Sequence, residues 1–256
     1  MQKRIITGII GIIFLLLVIY YLPLYYFYSL LFIVILISHF EFYKLFNEKL
    51  NIFFYYSVIL SIFFILLFPD ITEIVLFTLI FAFSLFILSV RKNFSNLKSL
   101  IIFFIANFYI TLTLCYSIPI FNDGKGKHLI MLILLIAWST DSFAYFTGTK
   151  FGKNKLCPRI SPKKTVEGAV GGILGAIITG TIFNLTILHL SIIKMFLIIF
   201  ITSISCILGD LYESALKRYN NKKDSGNIFP GHGGMLDRID SLFFAIPVFY
   251  ILDKLL

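Results

Sequence analysis

Four carboxylates and a glycine-rich stretch in the second half of this chain have the types and spacing needed to handle phosphate. Asp141 lies within Trp138-Ser139-Thr140-Asp141-Ser142, Asp210 ends the apolar run Ile198 to Gly209, and Asp237 and Asp240 follow three residues apart. A carboxylate at the centre of a membrane helix costs roughly 2.5–3.5 kcal/mol on insertion scales, so one retained there faces a polar cavity or a partner. Near the headgroup level the cost is small, and simple solvation is the alternative for Asp141 and Asp210. Beyond Asp210 the sequence continues as a helix. Spacings of four and seven put Asp210, Ser214 and Lys217 on one face, offering an oxygen ligand, a hydroxyl and an ammonium. Lys217 and Arg218 also suit the negative pole of a helix end.

The stretch from Arg218 to Asp240 is too polar for lipid and too rich in glycine for a long helix. Gly231, Gly233 and Gly234 let backbone N–H groups approach a phosphate closely, while Lys222, Lys223 and His232 add charge. Asp237 and Asp240 share a face at the start of the last apolar run, with Arg238 between them, and their charge suits a helix N-terminus. Hard oxygen ligands beside phosphate-binding glycines predict Mg²⁺, which takes one or two carboxylates plus substrate phosphates and water. Four scattered histidines and three scattered cysteines offer no zinc-ligand spacing. A second basic loop carries Lys150, Lys153, Lys155 and Arg159, then Lys163 and Lys164. Its six bases serve either topology and lipid headgroups or a polyphosphate substrate. Thr165 and Glu167 can start the next helix, along which Gly168, Gly171, Gly172 and Gly175 allow close helix contact.

The elements that must carry these residues are membrane spans. With 59% hydrophobic and 14% charged residues, a chain of 256 residues cannot fold around one water-surrounded core. Apolar runs of about 20 residues, the length that crosses a bilayer, recur near 5–22, 24–43, 52–68, 71–90, 99–120, 129–148, 166–188, 191–213 and 241–256. The expected fold is an all-α polytopic bundle of about nine spans, with 1–125 as a scaffold offering dimer contacts. Residues 126–256 form the catalytic half, with loops at 149–165 and 218–240. The first five spans are nearly silent about function. With the N-terminus inside, 18 of the 22 lysines and arginines fall on the inner side, leaving Lys125, Lys127, Lys194 and Lys254 outside. The basic bias of cytoplasmic loops thus predicts an N-in, C-out protein of the cytoplasmic membrane. The net charge of +9 is met by anionic lipid headgroups and calls for no nucleic acid.

Ser214 to Asp240, reading S-x-L-K-R-x4-K-D-S-G-x3-P-G-H-G-G-x-L-D-R-x-D, resembles the signature of the phosphatidate cytidylyltransferase (CDP-diacylglycerol synthase) family. Ser161-Pro162-Lys163-Lys164-Thr165-Val166-Glu167-Gly168 and Asp141-Ser142-Phe143-Ala144-Tyr145 resemble two further motifs of that family, in order, so the likeness covers roughly residues 138–241. The resemblance implies transfer of CMP from CTP to phosphatidic acid, a homodimer, and Asp210 and Asp237 as Mg²⁺ ligands. Lys217 joins those two as catalytic machinery, and Lys217, Arg218 and His232 would contact phosphates. The expected substrate-binding set is Asp141, Lys163, Lys164, Ser214, Arg218, Lys223, Asp224, His232, Gly233, Gly234, Arg238 and Asp240, with Asp224 and Asp240 as supports of the loop. A K⁺ ion beside Mg²⁺ is implied by the family alone. The rival readings are a CTP-dependent lipid kinase and a membrane transporter. The latter would not need glycines and paired aspartates outside the membrane.

Overall fold

The computed structural model describes residues 2–48, 52–67, 97–228 and 233–256. The chain begins with α1 (Gln2–Tyr20), α2 (Leu24–Leu45) and α3 (Ile52–Leu67). Pro23, with φ −57° and ψ 154°, stands before α2, where its missing N–H costs nothing and its ring blocks no earlier turn. Next come α4 (Leu97–Ala106), a π-helical stretch Asn107–Leu112, α5 (Thr113–Cys115) and α6 (Ser117–Phe121). The second half holds α7 (Gly126–Phe151), strands β1 (Lys155–Cys157) and β2 (Ser161–Thr165), and α8 (Val166–Phe183) with a π-helical end at Asn184–Leu188. After these follow α9 (Ile192–Tyr219), the short α10 (Leu236–Ile239) and α11 (Leu242–Leu255).

Five described stretches are long and apolar enough to cross a membrane: Leu24–Leu45, Lys98–Phe121, Gly126–Phe151, Val166–Leu188 and Ile192–Tyr219. The chain is a polytopic membrane protein. The expected span at 71–90 lies outside the described residues. The last expected span, 241–256, is a helix of 14 residues with Pro247 inside it, short of the roughly 20 residues that cross a bilayer. The described elements are helical, as expected, apart from one short hairpin. Part of the expected loop 149–165 is an antiparallel hairpin, pairing Lys155 with Thr165 and Cys157 with Ser161.

The chain divides into two compact units. One comprises 1–119 with 224–238, so the glycine-rich loop is grouped with the first helices. Its core is apolar at Ile35, Phe42, Tyr43, Phe103 and Ile110 but threaded by polar contacts. Asn107 Nδ2 donates to Ser57 Oγ at 2.9 Å, and the Ser61 and Thr111 hydroxyls lie 3.0 Å apart. Such bonds join helices where lipid gives no hydrophobic driving force between them.

The other unit comprises 120–223 with 239–256 and is built on α7 against α8. Small residues set that approach. A Cβ on Gly172 would lie 2.6 Å from the Thr140 carbonyl oxygen, and one on Gly168 would lie 2.9 Å from that of Ala144. Backbone atoms cannot step aside as a flexible side chain can. Gly172→Val is therefore expected to cost about 1–3 kcal/mol, as overpacking does, and to lower the unfolding temperature in detergent. An unchanged transition would show that the helices separate freely.

Candidate active site

The second unit contains a cavity of about 520 Å³ between α7, the hairpin, α8 and α9. Its acidic members are Asp141 from α7 and Asp210 from α9; its basic members are Lys155, Lys163 and Lys164 from the hairpin. Thr140, Tyr145, Gly148 and Gly168 complete much of the wall. Asp141 and Asp210, each within a long apolar helix, thus share this cavity with three lysines, and such cationic partners lower the cost of a carboxylate there.

Local chemistry explains why the hairpin stands where it does. The Thr165 hydroxyl caps α8 by accepting from Gly168 N at 3.1 Å, satisfying one of the donors a helix start leaves free. Glu167 reaches back to the preceding loop. Its carboxylate accepts from Lys153 N and Asn154 N, both at 3.1 Å, and from Asn154 Nδ2 at 2.9 Å. These bonds tie the entry of β1 to the start of α8. Close helix packing and this clasp together hold the lysines over the cavity.

Asp210 is held from two sides. Lys164 forms an ion pair with Oδ2, and the Ser214 hydroxyl donates to Oδ1 at 3.4 Å. The expected face of Asp210, Ser214 and Lys217 is therefore only partly shared. Lys217 is buried and paired with Glu213, itself 1% exposed. Glu213 was not foreseen as part of the site, although its place four residues before Lys217 was a usable signal. Arg218 turns to the hairpin, donating from Nε to the Ile160 carbonyl at 3.3 Å and from an Nη to that of Lys222 at 3.1 Å.

Asp240 belongs to this unit. A Cβ on Gly209 would lie 2.6 Å from the Asp240 carbonyl oxygen, so α9 and the turn before α11 are in close contact. Burial, then the charges of Asp210, Glu213 and Asp141, push the Asp240 carboxyl well above the usual carboxylate range. Burial is the larger cause and repulsion among these acids the next, and a bound cation would relieve the repulsion.

The glycine-rich loop is organised around other carboxylates. Asp237 Oδ2 accepts from Ser225 N at 3.0 Å, Ser225 Oγ at 3.0 Å and Gly234 N at 2.8 Å. Asp237 therefore folds back onto its own loop instead of sharing a helix face with Asp240, because α10 is a single turn and Asp240 follows it. Gly233 has φ +83°, a conformation that glycine adopts without strain. Gly234 was expected to make room for phosphate, but a Cβ there would strike the Ser225 hydroxyl and the carboxylate of Glu41. Glu41 is 1% exposed and is a second residue that the sequence motifs do not mark. Its signal was a lone acid inside the apolar run of α2. Lys223, Asp224 and Arg238 are exposed, and Gly231 and His232 lie outside the described residues.

Among the described residues no three of His, Cys, Asp and Glu converge closely enough to hold a metal ion by themselves. The oxygen donors present fit Mg²⁺, which completes its octahedron with water and substrate phosphates, and give no soft ligand set for zinc.

The sequence model of the cytidylyltransferase family matches residues 2–256. A phosphatidate cytidylyltransferase of Thermotoga maritima is 45% identical over 165 residues, which cover 62% of this chain and 61% of the relative. Its counterpart in Bacillus subtilis is 50% identical over 150 residues, covering 58% and 56%. The Haemophilus influenzae protein is 43% identical over 129 residues, covering 48% and 45%. The aligned part thus spans less than two thirds of each of these relatives. With the family model matched from residue 2 to the last residue, the chain belongs to the cytidylyltransferase family.

Proposed function

We propose that this protein transfers CMP from CTP to phosphatidic acid, giving CDP-diacylglycerol and pyrophosphate for phospholipid synthesis. The observation that carries the reading is the cavity in which Lys155, Lys163 and Lys164 stand with Asp141 and Asp210, each from within a long apolar helix. Polyphosphate-binding charge and cation-binding oxygen meet there beside helices that lipid can approach. The names of the relatives point to the same reaction.

A lipid phosphate monoester carries about −1.5 to −2 charge at pH 7, so its oxygen can attack the α-phosphorus of CTP without a general base. The bond that forms joins that oxygen to the α-phosphorus; the bond that breaks joins the α-phosphorus to the oxygen bridging to the β-phosphorus. Pyrophosphate leaves with the electron pair. Two anions must meet, so the barrier lies chiefly in their repulsion and alignment. Lys155, Lys163 and Lys164 would hold the triphosphate, and Lys217, Arg218 and His232 would support phosphates from the α9 end and its loop. Asp210 and Asp237 would be the ligands of Mg²⁺, as the family resemblance implies. When bound, the ion neutralises charge on the transferring and leaving oxygens. Gly233 and Gly234 shape the loop that carries Asp237, with Lys223, Asp224 and Arg238 at its exposed ends and Asp240 beyond it.

The bias of 18 of 22 basic residues to one side supports placing the hairpin and the glycine-rich loop at the cytoplasmic face, where CTP is. Phosphatidic acid would enter from the inner leaflet, and a homodimer is the assembly that the family suggests. Purified protein in detergent, supplied with CTP, phosphatidic acid and Mg²⁺, should form CDP-diacylglycerol and pyrophosphate and stop when the metal is chelated. Formation of CDP with a doubly phosphorylated lipid would point to a kinase instead.

A further inference from the structure

We infer that Glu41, in α2, is a positioning residue that latches the glycine-rich loop and thereby aims Asp237. The catalytic consequence rests on the function proposed above; the latch itself does not.

Glu41 lies near the end of an apolar helix and is 1% exposed, so its charge must be met by hydrogen bonds or its burial would be very costly. Its partners come from far along the chain. Oε1 accepts from Met235 N at 3.0 Å, and Oε2 accepts from Leu236 N at 2.9 Å and from Ser225 Oγ at 3.1 Å. Both ends of the glycine-rich loop are thus fastened to one carboxylate. Two glycines make the approach geometrically feasible, since a Cβ on Gly226 or on Gly234 would collide with Glu41 oxygens.

Ser225 links this latch to Asp237. Its hydroxyl lies 3.1 Å from Glu41 Oε2 and 3.0 Å from Asp237 Oδ2, yet it carries one proton and can donate to one carboxylate at a time. Whatever changes Glu41 therefore changes what Ser225 offers Asp237. A neutral amide in place of Glu41 would present an N–H₂ group where the loop already presents N–H donors, so even an isosteric replacement breaks the arrangement.

The test uses the full chain in detergent, comparing wild type with Glu41→Gln and Ser225→Ala. Two readouts are taken: the rate of tryptic cleavage after Lys223, at the loop's start, and the Mg²⁺ concentration for half-maximal CDP-diacylglycerol formation. Loss of charge-assisted bonds should raise both about tenfold or more in Glu41→Gln. Ser225→Ala should move both in the same direction, and the double variant should fall short of the sum, because one linked set of bonds is lost. Ser225→Ala alone decides the matter if Glu41→Gln does not fold. Cleavage and Mg²⁺ dependence like wild type in the folded variants would overturn the latch. If wild type forms no CDP-diacylglycerol while the variants are still cleaved faster, the catalytic reading fails and the latch stands.

Discussion

Asp210→Asn is expected to lower CDP-diacylglycerol formation about 10³-fold, in the range of lost electrostatic stabilisation at a reacting centre. The amide keeps the volume and one acceptor, so the packing of α9 should survive and the unfolding temperature should hold. What is lost is the charge that pairs with Lys164 and that would ligate Mg²⁺. The measurement is a steady-state rate at saturating CTP and Mg²⁺, beside a folding control by size-exclusion chromatography. A variant within about tenfold of wild type would remove Asp210 from the machinery, since a change of that size needs only about 1.4 kcal/mol.

Lys164→Met should act differently. The lysine is partly buried at the cavity wall, paired with Asp210, and methionine keeps most of its length without the charge. The acidic group of Asp141, Asp210 and Asp240 would then meet the triphosphate with one cation fewer. A charged hydrogen bond contributes about 1.5–3 kcal/mol, so the KM for CTP should rise about 10–100-fold, with a smaller fall in kcat. The unchanged lipid KM is the internal control. A fall in kcat alone would assign Lys164 to the transition state and not to nucleotide binding.

Much of this site was legible in the sequence because its residues cluster within the chain. Asp141, Lys163, Lys164 and Asp210 stand out in the sequence as charged groups in or beside apolar runs, and all four line one cavity. Thr165 was read as a helix start and does cap α8. The hairpin was not legible. Lys155–Thr165 has neither alternating hydrophobicity nor a two-residue Asn-Gly turn, and its pairing owes much to Glu167 bonding from the next helix. Residue spacing also misplaced two acids. Asp237 and Asp240 share a face only on a continuous helix, whereas α10 is four residues long and Asp237 is turned toward Ser225 and Gly234.

Glu41 shows the deeper limit. Its partners lie 184 to 195 residues away, so no local period or cap could connect them. An acid within an apolar run of the first half was visible, but its reason was not. The same distance explains the reading of Gly234, whose small size follows from a side chain in α2 as well as from any phosphate nearby.

The most direct test of the central claim follows where each phosphorus of CTP goes. Purified protein is given phosphatidic acid, Mg²⁺ and CTP labelled at either the α- or the γ-phosphorus. Cytidylyl transfer predicts that the α label enters the lipid fraction as CDP-diacylglycerol while the γ label appears only in pyrophosphate. The γ label in the lipid, with the α label retained in CDP, would contradict the account and make the protein a lipid kinase.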